Sequence, residues 1–473
     1  MKIKLGIKKA DIGYICSLCG GVQMGEAEGN VEFVCTDSRE ADSKTLFVVS
    51  VGERVDGHNY MLSAAKNGCK FFLCQRVPDE LENSRYDYCA IVVADSITAL
   101  ARISEAYVDT LNMKKVAVTG SVGKTTTKEF IYAALSDGFK THKTKANHNS
   151  TIGMPMSMLE ADRSNEAAVV EMGMSGFGEI ELMSRVLKPD VACVTNIGSS
   201  HLEILGTREN ICKAKLEIIC GMNGGKLFVN GDEPLLEQAE IENVEKILVG
   251  ISNENCDIRA CNLRYDDDGS VFDIFYYGSE YKDVEISVIG KQFVYAALFA
   301  FAVGMAMGME PSSIIRGLKK FENAAMRQNI YTLRGITIIE DCYNASPESM
   351  RAAMDVQKTL SDSKKNARMV ALLGDMRELG DDSESFHRSV GAYFARLGGT
   401  VLVTAGALAQ GIAEGAVGEG VENVKSFADH NEVEIIGEAL RAELKEGDIL
   451  LVKASRAIGA ERIVEYIKNQ LRK

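Results

Sequence analysis

This 473-residue chain reads as an α/β protein of three domains: a small α/β amino-terminal domain, a central mostly parallel sheet built on a phosphate loop, and a carboxyl-terminal Rossmann-like α/β domain. Three observations predict it. Short apolar runs alternate with longer amphipathic stretches, the rhythm of parallel strands covered on both faces by helices. The alternation restarts near residue 95 and again past Phe321, giving blocks 1–94, 95–322 and 323–473, in keeping with the ~150 residues of an ordinary domain. At the head of the second block, VAVTGSVGKTTTKE (Val116 to Glu129) runs strand, glycine turn, lysine, hydroxyls, helix.

Composition limits the function classes. A net charge of −14 disfavours nucleic acid or an anionic membrane as partner and leaves small molecules, held where needed by a local basic pocket. No apolar run reaches the ~18 residues of a membrane span or resembles a secretory leader, so a cytoplasmic chain with no membrane insertion is expected, as a monomer. Twelve cysteines in such a chain are small buried hydrophobes in a reducing compartment. Cys16 and Cys19 form a lone C-x-x-C, with no second pair to complete a zinc site.

In the first block a helix is expected over Lys8 to Gly20, with buried strands at Thr45 to Ser50, Cys69 to Cys74 and Cys89 to Ala94. Its polar loops are Thr36-Asp37-Ser38-Arg39 and Asp56-Gly57-His58. They suit a phosphate or a sugar, and equally suit plain turn chemistry.

The second block opens with a helix over Asp95 to Leu111. In the phosphate loop that follows, Gly120 and Gly123 let backbone N–H groups approach phosphate oxygens, Lys124 adds a cation, and the Thr125 hydroxyl is placed to ligate Mg²⁺. The loop is short: Val118 stands where the usual P-loop has its first glycine. The alternative is a glycine turn before a capped helix. Strands are expected at Ala167 to Glu171, Val191 to Asn196, Lys226 to Asn230 and Lys246 to Val249, and ligands gather at the carboxyl ends of such strands. Glu171, Thr195, Asn196 and His201 fall there, which makes Thr125, Glu171 and His201 candidate metal ligands. Taken singly, the glutamate and histidine also fit a cap and a satisfied core residue. Ile211 to Cys220 is a helix whose Lys213, Lys215 and Glu217 read as a solvated face. Residues 258 to 289 alternate like hairpins around Asp268-Gly269 and Gly278-Ser279, and Gln292 to Gly308 is an apolar core helix.

In the third block, strands are expected at Ile336 to Glu340, Met369 to Leu373, Thr400 to Val403 and Ile449 to Val452. The polar loops after them, 341–347, 374–380 and 453–456, are site loops.

These stretches resemble the Mur ligase family nearly end to end. TDSRE and DGHNY are similar to its UDP-sugar-binding domain, TGSVGKTTTKE to its ATP loop, and NHNSTIGMP to its central substrate loop. EMGMSGFGEI, TNIGSSHLEILGT and KAKLE follow in the family's order. DCYNASPESM, LGDMRELG and LVKASRAIGAE resemble the branch that adds D-alanyl-D-alanine. The resemblance implies an ATP-dependent, ADP-forming ligase that joins D-alanyl-D-alanine to UDP-N-acetylmuramoyl-tripeptide through an acyl phosphate, in peptidoglycan precursor synthesis.

It also implies residue roles. Lys124, Glu171, His201 and Lys215 would be catalytic, and Thr125, Glu171, His201 and a carbamylated Lys215 would hold Mg²⁺ at two sites. ATP would meet Thr119, Gly120, Ser121, Val122, Gly123, Lys124, Thr125, Thr126, Asn196, Arg327 and Asp341. The other substrates would meet Asp37, Ser38, Arg39, Asn147, Asn149, Thr151, Asn344, Ser346, Lys453 and Ser455. Two other readings stay open: a related amide ligase of folate or other peptides, and a silent binding protein descended from a ligase. The second is prompted by Gly290 to Ala296, GKQFVYA, which lacks the histidine and both asparagines of the family's Gly-x-His-Asn-x-x-Asn, the last of which meets adenine. Met326 and Ala454 also replace family glycines.

Overall fold

The computed structural model describes all residues except 8–9, 53–54, 146, 267–268, 324–325 and 473. Lys8, where the first helix was expected to begin, and Asp268 of the expected hairpin turn lie outside the described residues. Three sheets follow one another along the chain. The first holds β1 (Lys2–Lys4), β2 (Val22–Gly25), β3 (Phe33–Cys35), β4 (Thr45–Val48), β5 (Phe71–Cys74) and β6 (Cys89–Val92), in the order β1-β3-β4-β5-β6-β2. Its middle four strands are parallel and its edges antiparallel.

The central sheet has nine strands: β7 (Lys114–Thr119), β8 (Thr141–Lys143), β9 (Ala167–Glu171), β10 (Val191–Val194), β11 (Lys226–Asn230), β12 (Glu245–Gly250), β13 (Ile258–Tyr265), β14 (Ser270–Tyr276) and β15 (Ser279–Ile286). The order is β15-β14-β13-β12-β11-β10-β7-β9-β8. Strands β7 to β13 run parallel, and β13, β14 and β15 form the antiparallel hairpins expected from the alternating sequence. The strand carrying the phosphate loop, β7, sits between β9 and β10, so the ends of these three meet.

The third sheet orders β16 (Asn329–Leu333), β17 (Ile336–Asp341), β18 (Met369–Gly374), β19 (Val401–Ala405), β20 (Asn423–Phe427) and β21 (Ile449–Lys453) as β16-β17-β21-β18-β19-β20. All are parallel but β16.

The cores show how these layers join. One buried cluster runs from Ile3 through Ala99, Leu100, Ile103 and Met154 to Leu236, so the helix Ser96–Val108 packs the first sheet against one face of the central sheet. On the opposite face lie the helices Lys124–Leu135, Lys291–Ala306 and Pro311–Lys319, with Phe130 stacked on Phe321 at 3.7 Å between centroids. The third sheet has a core on each face. All twelve cysteines are free; nine are buried, Cys16 is half-buried, and Cys220 and Cys261 are exposed. Cys16 and Cys19 lie on the helix Ile12–Cys19, which Asp11 caps by accepting from Tyr14 N at 2.8 Å. No helix of the described residues is long and apolar enough to cross a membrane.

Candidate active site

The phosphate loop joins β7 to the helix Lys124–Leu135, and two glycines make the turn. Gly120 has φ +151°, and a Cβ on it would stand 1.9 Å from Thr195 Oγ1. Gly123, at φ +82°, is the residue before the helix, where a side chain would be strained. The end of β10 clamps the loop. Asn196 Oδ1 accepts from Ser121 N (3.1 Å) and Val122 N (2.9 Å), Thr195 Oγ1 donates to Val122 O (2.7 Å), and Gly198 N donates to Ser121 Oγ (2.9 Å). Thr119 Oγ1 ties β7 to Met172 O at 2.8 Å. Lys124 folds back, its Nζ donating to Gly120 O (2.8 Å) and Ser121 O (3.1 Å). Burial pushes the pKa of this ammonium down, partly countered by Glu171. An arriving phosphate oxygen offers it better acceptors than two carbonyls.

Glu171 ends β9 with 2% of its surface exposed. Its Oε1 accepts from Asn149 Nδ2 at 2.7 Å, while Oε2 is buried without a hydrogen-bond partner. A buried carboxylate oxygen left over in a residue that lines the same cavity as Thr125 fits a hard divalent cation, which takes oxygen ligands. Lys128, one helical turn past Lys124, is fully buried: its Nζ donates to Thr144 O (2.9 Å) and stands 3.1 Å from Glu129 and 3.7 Å from Glu171 Oε2. Sequence reasoning passed over this lysine, because a Lys-Glu pair on a helix looks like a solvated face.

Lys215, on the helix Arg208–Leu216, is 2% exposed. The solvated face expected for this stretch is therefore corrected at this residue: Lys215 points into the core, whereas Glu217 receives Gly178 N and Glu181 N at the start of the next-door helix Glu179–Leu187. Burial first, and then the like charge of Lys124, holds the Lys215 pKa well below the usual lysine value. His201 adopts φ +64° ahead of the short helix Leu202–Leu205 and pairs through Nδ1 with Glu378 of the third domain at 2.8 Å. Among the described residues no three His, Cys, Asp or Glu side chains gather as a metal site.

The third domain closes the cleft from the other side. A cavity of about 470 Å³ is lined by Lys124, Thr125, Asn147, Asn149, Glu171 and Asn196 from the central domain, and by Arg327, Asp341, Asn344, Ser346 and Lys453 from the third. Lys453 Nζ, 2% exposed, donates to Asp341 Oδ2 (2.6 Å) and to Asn344 O (3.0 Å). The Arg327 guanidinium lies 4.2 Å from the centre of the Tyr343 ring. The residues beside it, Met326 and Gln328, both have positive φ, +59° and +47°. The family glycine that Met326 replaces is thus a residue suited to the left-handed backbone found here.

Not every expected residue reaches this cavity. Ser121, Val122, Gly123 and Thr126 line it, whereas Thr119, Gly120, Thr151, His201, Lys215 and Ser455 do not. Ser455 Oγ is buried with no hydrogen-bond partner. Asp37, Ser38 and Arg39 follow β3 in the first domain; Arg39 Nη2 meets Asp37 Oδ2 at 2.6 Å, which holds the Asp37 carboxyl well below its usual range. The cavity also takes in Gln292, Tyr295, Gln328, Glu348 and Asp355. Of these, Gln328 and Asp355 carried no signal in a linear motif, and Glu348, inside DCYNASPESM, was assigned no role.

Known proteins bear on this arrangement. Residues 30–108 match the description "Mur ligase family, catalytic domain", 118–304 "Mur ligase middle domain", and 326–456 "Mur ligase, glutamate ligase domain". The UDP-N-acetylmuramoyl-tripeptide--D-alanyl-D-alanine ligase of Bacillus subtilis is 38% identical over 439 residues, covering 91% of this chain and 92% of that protein. The fold matches a crystal structure of MurF from Acinetobacter baumannii with TM-score 0.87 and 28% identity, over 99% of this chain and 100% of that one. It matches MurF ligase from Thermotoga maritima in complex with ADP with TM-score 0.81 and 27% identity, over 93% and 97%. With three family descriptions spread along its length and a relative matched nearly end to end, the chain belongs to the Mur ligase family.

Proposed function

We propose that this chain is an ATP-dependent ligase that adds D-alanyl-D-alanine to UDP-N-acetylmuramoyl-tripeptide in peptidoglycan precursor synthesis. The observation that carries the reading is the shared cleft, in which a phosphate loop, a buried carboxylate oxygen without a partner and the third domain's Arg327, Asp341 and Lys453 face one volume. The relatives so named support the substrates.

The terminal carboxylate of the tripeptide attacks the γ-phosphorus of ATP, ADP leaves, and an acyl phosphate forms. The amine of D-alanyl-D-alanine then attacks the acyl carbon, loses a proton, and phosphate departs. Lys124 and the loop N–H groups of residues 120–125 hold the phosphates, and Arg327 meets the charge that develops between them. Thr125, Glu171, His201 and a carbamylated Lys215 would hold Mg²⁺ at two sites. Bound there, Mg²⁺ would neutralise the crowded phosphate and carboxylate charge. Carbamylation needs a neutral amine, which the lowered Lys215 pKa favours. Asp341 takes the ATP ribose, and Asn344, Ser346, Lys453 and Ser455 the dipeptide or acyl phosphate. Asp37, Ser38 and Arg39 take the UDP-sugar, and Asn147, Asn149 and Thr151 the peptide stem. Residues 1–94, 95–322 and 323–473 thus divide the sugar, ATP and dipeptide, in a cytoplasmic monomer. The test is phosphate release. It should require ATP, the UDP-tripeptide and D-alanyl-D-alanine together; release that ignores the dipeptide or the UDP-tripeptide overturns the reading.

A further inference from the structure

Four carboxylates line the cleft, and their partners set one apart. Asp341 pairs with Lys453, Asp355 accepts from Tyr393 Oη at 2.5 Å, and Glu171 accepts from Asn149. Glu348 instead reaches out of its own domain. It lies in the first turn of the helix Pro347–Ser363, an end made rigid by Pro347 and by the reciprocal bonds of Ser346 and Ser349. Its Oε1 accepts from both Ser199 N (2.9 Å) and Ser199 Oγ (2.8 Å) in the loop after β10. Its Oε2 is buried with no hydrogen-bond partner. The loop is shaped to receive it, since a Cβ on Gly198 would lie 3.0 Å from the Glu348 carboxyl carbon.

That same loop clamps the phosphate loop. Asn196 holds Ser121 N and Val122 N, and Gly198 N holds Ser121 Oγ. One oxygen of the third domain is therefore three residues away from the groups that set the phosphate grip. We propose that Glu348 is a positioning residue, a latch that seats the third domain on the Ser199 loop and through it fixes the nucleotide-binding form of residues 120–125. Without it Ser199 N loses its acceptor and the loop is free to relax, so docking of the third domain and phosphate binding support each other. The idea rests on the ligase reading only for the nucleotide.

The test is calorimetric binding of ADP with MgCl₂, which is separate from the phosphate-release assay and fails independently of it. Glu348→Ala should weaken ADP by about fivefold or more, and Ser199→Ala in the same direction by less, because its N–H remains. Glu348→Gln should stay within about twofold of the parent, since its amide oxygen still accepts both bonds. Gly198→Ala should weaken ADP in the parent chain but not in Glu348→Ala, where the carboxyl group nearest the new methyl is gone. Thermal midpoints unchanged among the variants show that folding is not the cause, and if Glu348→Ala does not fold, Ser199→Ala and Gly198→Ala decide. Parent-like ADP binding in all variants overturns the latch. So does a Gln variant as weak as the Ala variant, which means that the charge acts on a ligand directly.

Discussion

The two walls of the cleft solve the problem of holding polyanions in different ways. On the central side two cations stand without a full carboxylate partner: Lys124 rests on two loop carbonyls at the cavity, and Lys215, buried outside it, feels mainly burial and the like charge of Lys124, whereas Lys128 is paired with Glu129. The backbone around them is clamped by Thr195, Asn196 and Gly198. On the third-domain wall the buried cation is already matched, Lys453 with Asp341. The central wall is thus preorganised for added negative charge, and the other keeps Lys453 and Asp341 in a structural pair that a ligand must share or exchange. Substitutions should separate the two: loss of function with an intact fold on the first, loss of stability on the second.

The largest effect is expected at Lys215. On the proposal that Lys215 is carbamylated, Lys215→Ala should be nearly inactive, yet partly restored by a small added carboxylate such as acetate, because the lost group would be a carbamate oxygen rather than an ammonium. Mass spectrometry of the native protein should show the added carbon dioxide; an unmodified lysine together with failed rescue removes the carbamate. Lys124→Ala comes next, with turnover lowered by on the order of 10²–10³ and the thermal midpoint unchanged, as expected of a cation that would face developing phosphate charge. Near-normal turnover sinks the phosphate-loop assignment.

Lys453→Met probes the other wall. It leaves Asp341 without its cation, and breaking a buried pair costs about 3–5 kcal/mol. Asp341 is 17% exposed, so water recovers part of that. The thermal midpoint should fall by several degrees, and Lys453→Met with Asp341→Asn should regain part of the loss. An unchanged midpoint in Lys453→Met erases the contrast between the walls.

Much of this was legible in the sequence where one residue type has one local job. The parallel strands, the glycines of residues 120–123 and the placement of Glu171 and Asn196 at strand ends follow from period, turn chemistry and the rule that ligands gather at carboxyl ends. The edge strands β8, β16 and β20 escaped because their burial is only partial, which leaves no apolar run to see. The roles of Lys128 and Glu348, the burial of Lys215 and the His201–Glu378 pair escaped for another reason. Their partners stand on other elements or in another domain, and only folding supplies them.

The smallest effect concerns the base of the nucleotide, and it tests whether the central wall is as preorganised there as at the phosphates. Where the family sets an asparagine against adenine, this chain has Ala296, 2% exposed and able to offer neither donor nor acceptor. One turn earlier, Gln292 faces the same cleft, and its position is set by neighbours: its Nε2 donates to Gln328 Oε1 at 2.5 Å, and Gln328 Nε2 donates to Ile289 O at 2.7 Å. That leaves Gln292 Oε1 and one N–H for a ligand. A single amide fixed by a second one can read a base, but it stands in a different place from the asparagine it would replace. The preference for ATP over GTP should therefore be weaker than in relatives that keep the asparagine, with each unsatisfied polar group costing about 1–3 kcal/mol. Ala296→Asn should raise the ATP to GTP ratio of kcat/KM, and Gln292→Ala should lower it, both with turnover on saturating ATP nearly unchanged. A native ratio already at about 10³ or more that neither substitution moves would assign adenine to the backbone and leave the glutamine pair with packing alone.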